Sequence, residues 1–381
     1  MLPIGTTDSA RLALDTILQK PRKGIPSWLV HIMEHAHIER LAGSPLGSYR
    51  KEPEKVYLAC QRAIGTCLLD QFIPENPLTM GDEGFTANRE RDATTGAAEI
   101  VRDGIVINSP EAVIEHLERV VFPNLRQRIA AFNEETRVRE ILAREADIQA
   151  RLGPEILKGG YGFVMFPGLA YSTYGYVHYF QAFALYPEVM EKHFALQAEL
   201  ALLNNRAAAK AYSEGQLAPI YRLDHDMAGS HGLLVNVRVL DRLWLPHFHR
   251  CLEPLLKTDV RLVWHCDGNL MELVPRLLDV GIRGFQGFQY EDGMDYERIC
   301  RMKDREGRDL IIIAGVSVTR TLPHGAPDDV RREMAWLVQH GPRTGLFLGA
   351  SSSITPGVPW DNIRPLVEGL AYYRKYGRHG H

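Results

Sequence analysis

Three consecutive residues, His265, Cys266 and Asp267, bring together side chains that can bind a metal ion or move a proton. They follow a short apolar run, residues 261–264, that predicts a strand. Side chains two residues apart on a strand share a face, so His265 and Asp267 can act on one ion while Cys266 points away. Imidazole and carboxylate ligands suit zinc or another, harder divalent metal. A hydrogen-bonded histidine next to a helix-capping aspartate, without metal, fits the same residues.

Polar residues also follow other predicted strands. Asp224 and Asp226 come after residues 219–223, and Glu291 comes after residues 284–288. With His265 they are the candidate catalytic residues, and a carboxylate among them could complete a ligand set begun by His265 and Asp267. The candidate substrate-binding residues are polar or aromatic and lie in comparable positions: Gln71, Tyr174, Tyr176, His178, Arg320, Ser351 and Ser352. Polar turns and helix caps explain any one of them equally well, whereas the whole set favours a site.

Short apolar runs alternate with amphipathic helical patterns along most of the chain. Strands are predicted over residues 26–31, 67–73, 163–166, 219–223, 261–265, 284–288, 310–315 and 345–349. Helices are predicted over residues 54–64, 187–212, 240–256, 271–280, 327–340 and 362–376. Strands separated by helices pair in parallel, and eight such units predict an α/β fold of the (β/α)8 TIM-barrel type. An open doubly wound sheet has the same alternation. In either fold the polar strand ends meet on one face.

Residues 81–160 interrupt this rhythm. Asp103-Gly104 stands between two apolar arms, which predicts a β-hairpin, and a long charged helical stretch follows from residue 109 to about 152. We interpret this segment as an insertion over one end of the barrel. The expected organisation is one domain over residues 1–381, with a helical extension over residues 1–23.

Composition excludes several classes of protein. The chain of 381 residues is 45% hydrophobic and has a formal net charge of −3, so neither nucleic acid nor a membrane is an expected partner. Its five cysteines form no CxxC pair, which is typical of a reducing compartment. The first residues do not follow the pattern of a signal peptide, and a cytoplasmic location is expected. Walker A, GxGxxG, GxSxG and HExxH motifs are absent from the sequence.

Residues 219–369 resemble the uroporphyrinogen decarboxylase superfamily, and in particular its branch of corrinoid-dependent methyltransferases. The matching stretches are DMAG (226–229), HCDGN (265–269), GMD (293–295), GVSVTRTLP (315–323) and SITPGVPWDNI (353–363). Residues 65–74 and 162–187 match more loosely. The resemblance implies a (β/α)8 barrel, in agreement with the count of strands.

The chain departs from both known activities of this superfamily. True uroporphyrinogen decarboxylases look like Arg-Gln-Ala-Gly-Arg after the first strand, whereas this chain reads HIMEH over residues 31–35. Their Phe-Ser-Asp motif should fall near residues 73–77, where no aspartate occurs. The methyltransferases look like His-x-Cys with a later Cys, which together hold zinc. His265 matches their histidine, but Asp267 and Ser352 stand where the two cysteines would be.

These departures lead to a functional hypothesis based on the resemblance. The chain is expected to be an O-demethylase type of methyltransferase, which moves a methyl group from a methoxylated donor, such as an aryl methyl ether, to a corrinoid. No Asp-x-His-x-x-Gly cobalamin motif occurs in the sequence, so the corrinoid would be carried by a partner protein. The alternative is a decarboxylase or lyase acting on a non-porphyrin acid, with Arg320 or Arg222 holding the carboxylate. A binding protein without catalysis is a third class, and a homodimer is an arrangement open to the chain.

Overall fold

The computed structural model describes residues 7–75 and 100–378. Its helices are α1 (Asp8–Ile17), α2 (His35–Ala42), α3 (Ser48–Lys51), α4 (Pro53–Ile64), α5 (Pro110–His116), α6 (Phe122–Ala130), α7 (Glu134–Leu152), α8 (Tyr171–Tyr174), α9 (Tyr176–Leu185), α10 (Pro187–Glu214), α11 (Val237–Leu243), α12 (Leu245–Leu256), α13 (Val274–Val280), α14 (Tyr296–Arg301), α15 (Thr321–His324), α16 (Pro327–His340) and α17 (Trp360–Tyr376). A π-helical segment covers Leu117–Val121, and a 3-10 turn covers Tyr290–Asp292.

Its strands are β1 (Leu68–Leu69), β2 (Val101–Arg102), β3 (Ile105–Val106), β4 (Leu157–Lys158), β5 (Ile220–Asp224), β6 (Ala228–Gly229), β7 (Gly232–Leu233), β8 (Arg261–His265), β9 (Gly284–Gln286), β10 (Ile311–Val316) and β11 (Leu346–Ala350). The main sheet contains five parallel strands in the order β11-β10-β9-β8-β5. Helices lie between these strands in the chain, as parallel pairing requires. The described part of the protein therefore has an α/β fold with a parallel sheet.

Further parallel pairings extend beyond both edges of this sheet. Strand β1 pairs with β4. Single parallel bridges join Ser27 to Leu348 of β11, Trp28 to Leu68 of β1, and Gly160 to Tyr221 of β5. The segment at residues 27–28 thus lies between β11 and β1, and the segment at residues 157–160 lies between β1 and β5.

Alternate residues of β10 belong to two different hydrophobic cores. Ile311 and Ile313 pack in a smaller core that also contains Ala13 and Ile17 of α1. Ile312 belongs to the large core between the sheet and the helices that surround it. This alternation follows from the two-residue period of a strand, and burial of both faces explains the continuous apolar run in the sequence. Helix α1, the predicted N-terminal extension, therefore covers part of the sheet.

The strands predicted in the second half of the chain are confirmed within one or two residues at each end. The strand predicted over residues 163–166 is wrong. There the backbone amides of Phe163 and Val164 donate to the Tyr221 hydroxyl at 2.9 and 2.8 Å, and that of Met165 donates to Asn205 Oδ1 at 3.0 Å. Backbone groups satisfied by side chains cannot also form a sheet ladder. The strand in this part of the chain is β4 instead. The strand predicted over residues 26–31 is reduced to isolated bridges.

The predicted hairpin is confirmed by the antiparallel pair β2–β3. Asp103 and Gly104 have φ values of 48° and 81°, the left-handed conformations that a two-residue hairpin turn needs. Helices α5, α6 and α7 follow, as the charged stretch predicted. The insertion was predicted to end at residue 160, but it ends before β4 at residue 157. Strand β4 pairs in parallel with β1 and therefore belongs with the parallel strands. Residues 81–99 of this prediction lie outside the described residues.

Two helices show why local sequence sets helix ends. The helix predicted over residues 240–256 is divided into α11 and α12 at Trp244, because Pro246 has no backbone N–H to continue α11. Helix α16 matches its predicted bounds; it begins at Pro327, and Asp329 accepts the Ala326 N–H at 2.8 Å. None of the helices within residues 7–75 and 100–378 combines the length and the apolar character needed to cross a bilayer.

Candidate functional site

The carboxyl ends of three neighbouring strands present polar residues side by side. In the sheet register, Asp224 at the end of β5 lies beside His265 at the end of β8, and His265 lies beside Gln286 of β9. Ser351 and Ser352 follow directly after β11 at the same edge. Catalytic residues of parallel α/β folds lie at this edge, because the loops that leave it are free to vary.

His265 faces two carboxylates without bonding to either. Its Nε2 lies 3.8 Å from Asp224 Oδ1 and 3.9 Å from Asp267 Oδ1, too far for hydrogen bonds. Two ligands of a tetrahedral ion with bonds of about 2.1 Å lie about 3.4 Å apart, so these gaps are only slightly wider than a metal site requires. Within the described residues, Asp226, His265 and Asp267 can each offer a ligand atom within 4.8 Å of the others.

Two buried atoms of this group have no hydrogen-bond partner in the described part of the chain: His265 Nδ1 and Asp267 Oδ1. The other carboxylate oxygen of Asp267 accepts from Ser352 Oγ at 3.2 Å, and the Asp267 N–H donates to Asp226 Oδ1 at 2.8 Å. Burial raises the pKa of Asp267, and the negative charge of Asp226 adds to this increase. A cation among these side chains would balance both effects and satisfy the unpaired oxygen.

Cys266 points away from this group, as the strand geometry predicts. Its Sγ accepts the Met227 N–H at 3.3 Å, and burial raises the pKa of the thiol, which makes it a poor nucleophile. Behind His265 stands Gly287, whose φ is 88° and where a Cβ would lie 2.7 Å from His265 Nδ1. Only glycine fits this close approach, so Gly287 leaves the space that the imidazole occupies.

Asp224 is held by Tyr161, which the sequence did not identify, and by Arg222, which the sequence suggested only as a carboxylate-binding residue. Its Oδ2 accepts from the Tyr161 hydroxyl at 2.9 Å and lies 3.2 Å from Arg222 Nη1, which leaves Oδ1 facing His265. Gln71, a predicted substrate-binding residue, donates to the same tyrosine hydroxyl at 3.3 Å. Burial alone would raise the pKa of Asp224, but His265, Arg222 and Tyr161 together hold it below its usual value.

Arg222 is itself buried and fully engaged. Its guanidinium pairs with Asp70 as well as Asp224, and it donates to Gln286 and Gln71 at 3.3 Å. Asp70 also accepts the Trp28 indole N–H at 3.1 Å. An arginine with this many protein partners has no free edge for a substrate carboxylate, which counts against Arg222 in the decarboxylase hypothesis and leaves Arg320 for that role.

Glu291 and Arg320 form a separate polar group. Glu291 Oε1 accepts from Ser317 Oγ and Thr319 Oγ1, and the exposed Arg320 donates to the Glu291 carbonyl at 3.2 Å. Glu291 Oε2 is buried without a partner among the described residues, which leaves one acceptor open. Ser351 is buried and accepts the Val318 N–H on its hydroxyl at 3.1 Å, so it supports the loop after β10.

The predicted aromatic residues separate into two groups. Tyr176 stacks on Tyr171 with ring centroids 5.1 Å apart, and the Tyr171 hydroxyl donates to the Asp226 carbonyl at 2.9 Å. This pair therefore lies next to the carboxylate group. Tyr174 instead bonds to His116 of the inserted helices at 2.8 Å, and His178 contacts Gln181 of its own helix. Tyr171 was not among the predicted site residues. The many aromatic residues between positions 171 and 180 indicated a possible aromatic surface, but the sequence did not show which of them lie beside the carboxylates.

The overall fold is similar to that of a solved methyltransferase from Methanosarcina mazei. The two structures have a TM-score of 0.54 at 15% sequence identity, and the likeness covers 98% of this chain and 99% of the other. At this identity the likeness shows a common fold. No family model matches the sequence, and no curated protein matches it.

Proposed function

We propose that the chain is a methyltransferase that cleaves a methoxylated donor and passes the methyl group to a corrinoid held by a partner protein. The observation that carries the proposal is the group formed by His265, Asp267 and Asp226 at the carboxyl edge of the sheet. It is supported by the resemblance of residues 219–369 to corrinoid-dependent methyltransferases, and by the likeness to a methyltransferase fold over nearly the whole chain.

We also propose that the parallel segments form one closed (β/α)8 barrel, in a single domain of the uroporphyrinogen decarboxylase superfamily. The chain of pairings supports closure, since bridges from Ser27 and Trp28 connect β11 with β1, and Gly160 connects the β4 segment with β5. In such a barrel the loops after all eight strands converge, which would bring the Glu291 group to the same mouth as His265.

The donor set suits a divalent metal, which His265, Asp267 and Asp226 would hold. One nitrogen and two carboxylate oxygens form a harder ligand set than the His and two Cys of the resembling methyltransferases. Zinc would therefore be held less tightly, and a harder ion could replace it. Such an ion supplies Lewis acidity, which makes the ether oxygen a better leaving group.

The chain's own residues would position this chemistry. Tyr171 and Tyr176 provide an aromatic surface beside Asp226 for an aryl ring. Asp224, held by Arg222 and Tyr161, keeps a negative charge next to His265. In metal-free protein His265 would be the group that donates a proton to the departing oxygen. The electrons of the broken methyl–oxygen bond would stay on the oxygen that receives the proton, and the methyl group would form its new bond with an electron pair of the reduced corrinoid.

The experiment measures metal content and methyl transfer in the same preparations. Wild-type protein and the Asp267→Asn variant would be analysed for metals, then assayed with a reduced corrinoid protein and an aryl methyl ether. Cys266→Ser is the matched control, because that side chain faces away from the group. We expect the asparagine variant to lose most of its metal and its activity while the control keeps both.

Other outcomes separate the parts of the proposal. Full activity in rigorously metal-free protein would eliminate the metal role and leave His265 as the acid. Absence of methyl transfer by metal-loaded wild-type protein with a range of aryl methyl ethers would contradict the proposed reaction class.

A further inference from the structure

A cavity of about 290 Å³ lies at the opposite ends of the strands from the candidate site. It is bounded by the loop after α1, by the residues that precede and begin β11, and by the end of the chain after α17. Its cationic lining residues are Lys20, Arg22, Lys23, Arg343 and Arg378. Amino-terminal ends of parallel strands rarely carry catalysis, so this cavity is separate from the proposed chemistry.

Within the described part of the chain, the lining contains five cationic side chains and no carboxylate. Asp15, the nearest acid, is buried and forms ion pairs with Arg22 and, at 3.7 Å, with Lys20. Lys23 and Arg343 are exposed and form no ion pair with an acidic side chain of the described ranges. Among the described residues, the cavity thus keeps an excess of positive charge that no acidic side chain neutralises.

Arg378, which also has no acidic partner among the described residues, is half-buried and held in place. Arg378 donates to the Gly341 carbonyl at 2.8 Å and to that of Pro342. Burial lowers its pKa, and the positive charge of Arg343 lowers it further. Gly377 packs against the Lys23 carbonyl so closely that no Cβ could be accommodated. The three walls are therefore in fixed contact, and two like charges face each other across them.

We propose that this cavity binds a small multivalent anion of the phosphate class. Guanidinium and ammonium groups that converge without a carboxylate form the usual recognition site for phosphate oxygens. An anion here would offset the repulsion between Arg343 and Arg378. It would also connect the α1 loop, the β11 loop and the chain end, and so stabilise the folded protein in proportion to its occupancy. The proposal does not depend on the reaction at the other edge of the sheet.

The test is calorimetric titration of the full chain with pyrophosphate at constant ionic strength. The double variant Lys23→Ala/Arg343→Ala removes two exposed cations from the cavity and should leave the fold intact. Its matched control is Arg126→Ala/Arg128→Ala, which removes two exposed arginines from α6, outside the cavity.

Wild type and control are expected to bind one pyrophosphate per chain with equal affinity. The affinity of the cavity variant for pyrophosphate should fall by at least about tenfold, because two charge-assisted contacts are lost. Equal affinity in all three proteins would mean that binding is diffuse and would overturn the proposal. Absence of saturable binding to the wild type would overturn it as well.

Discussion

Replacement of Arg222 by methionine should destabilise the protein strongly. The arginine side chain is 7% exposed and that of Asp70 is fully buried, so their ion pair has almost no contact with water. Methionine keeps the apolar part of the side chain but removes the charge, and Asp70 is left with the Trp28 indole as its hydrogen-bond donor. Removal of one partner from a buried ion pair costs about 3–5 kcal/mol.

The cause of this loss can be isolated with a second substitution. In the double variant Arg222→Met/Asp70→Asn the unpaired charge of Asp70 is removed, so part of the stability should return and the two effects should not add. Arg222→Lys keeps a positive charge but loses the branched contacts to Asp224, Gln71 and Gln286, so its loss should be smaller. In the methionine variant the pKa of Asp224 should also rise, because one of the charges that lowers it has gone.

The assay is equilibrium unfolding in urea at pH 7.5, followed by tryptophan fluorescence and by circular dichroism. The slope of the transition must be unchanged for the free energies of unfolding to be compared. A loss below about 1 kcal/mol for Arg222→Met, the size of an exposed ion pair, would refute the reasoning. Strict additivity with Asp70→Asn would refute the assigned pairing.

His265→Ala should abolish binding of zinc or manganese in a calorimetric titration, whereas Cys266→Ser should bind these metals as the wild type does. An equal loss of metal affinity in both variants would contradict the assignment of His265 as a ligand. Gly287→Ala should weaken metal binding and lower stability by about 1–3 kcal/mol, because its Cβ would meet the imidazole; an unchanged melting temperature would count against this. Burial raises the pKa of Glu333 to about 7. The protonated Glu333 therefore contributes fully to stability below about pH 4.5, and this contribution is lost as the pH rises through 7. The free energy of unfolding should differ by about 2–3 kcal/mol between these two conditions. The free energy of unfolding, measured from pH 4.5 to 8, should show this loss in the wild type relative to Glu333→Gln. The glutamine still accepts the Ser317 N–H, so it is a matched control. Parallel curves of unfolding free energy against pH for the two proteins would contradict the prediction.

Local patterns were sufficient for much of the fold. The continuous apolar runs of β8, β10 and β11 predicted buried parallel strands, and Asp103-Gly104 predicted the hairpin turn. The position of His265 and Asp267 at a strand end, with Cys266 turned away, also followed from the two-residue period of a strand. These features depend on neighbours in the sequence, and composition and periodicity report such neighbours directly.

Other features depended on the tertiary structure alone. The amides of residues 163–165 find their acceptors 40–58 residues away, and for this reason an apolar run there is not a strand. Arg222 was one of two arginines that the decarboxylase alternative placed on a substrate, yet its partner Asp70 lies 152 residues away in the sequence. Tyr161 likewise reaches Asp224 across 63 residues. The cationic cavity joins the two ends of the described chain. A sequence states which side chains are charged, but whether a charge is neutralised depends on which distant residues packing brings beside it.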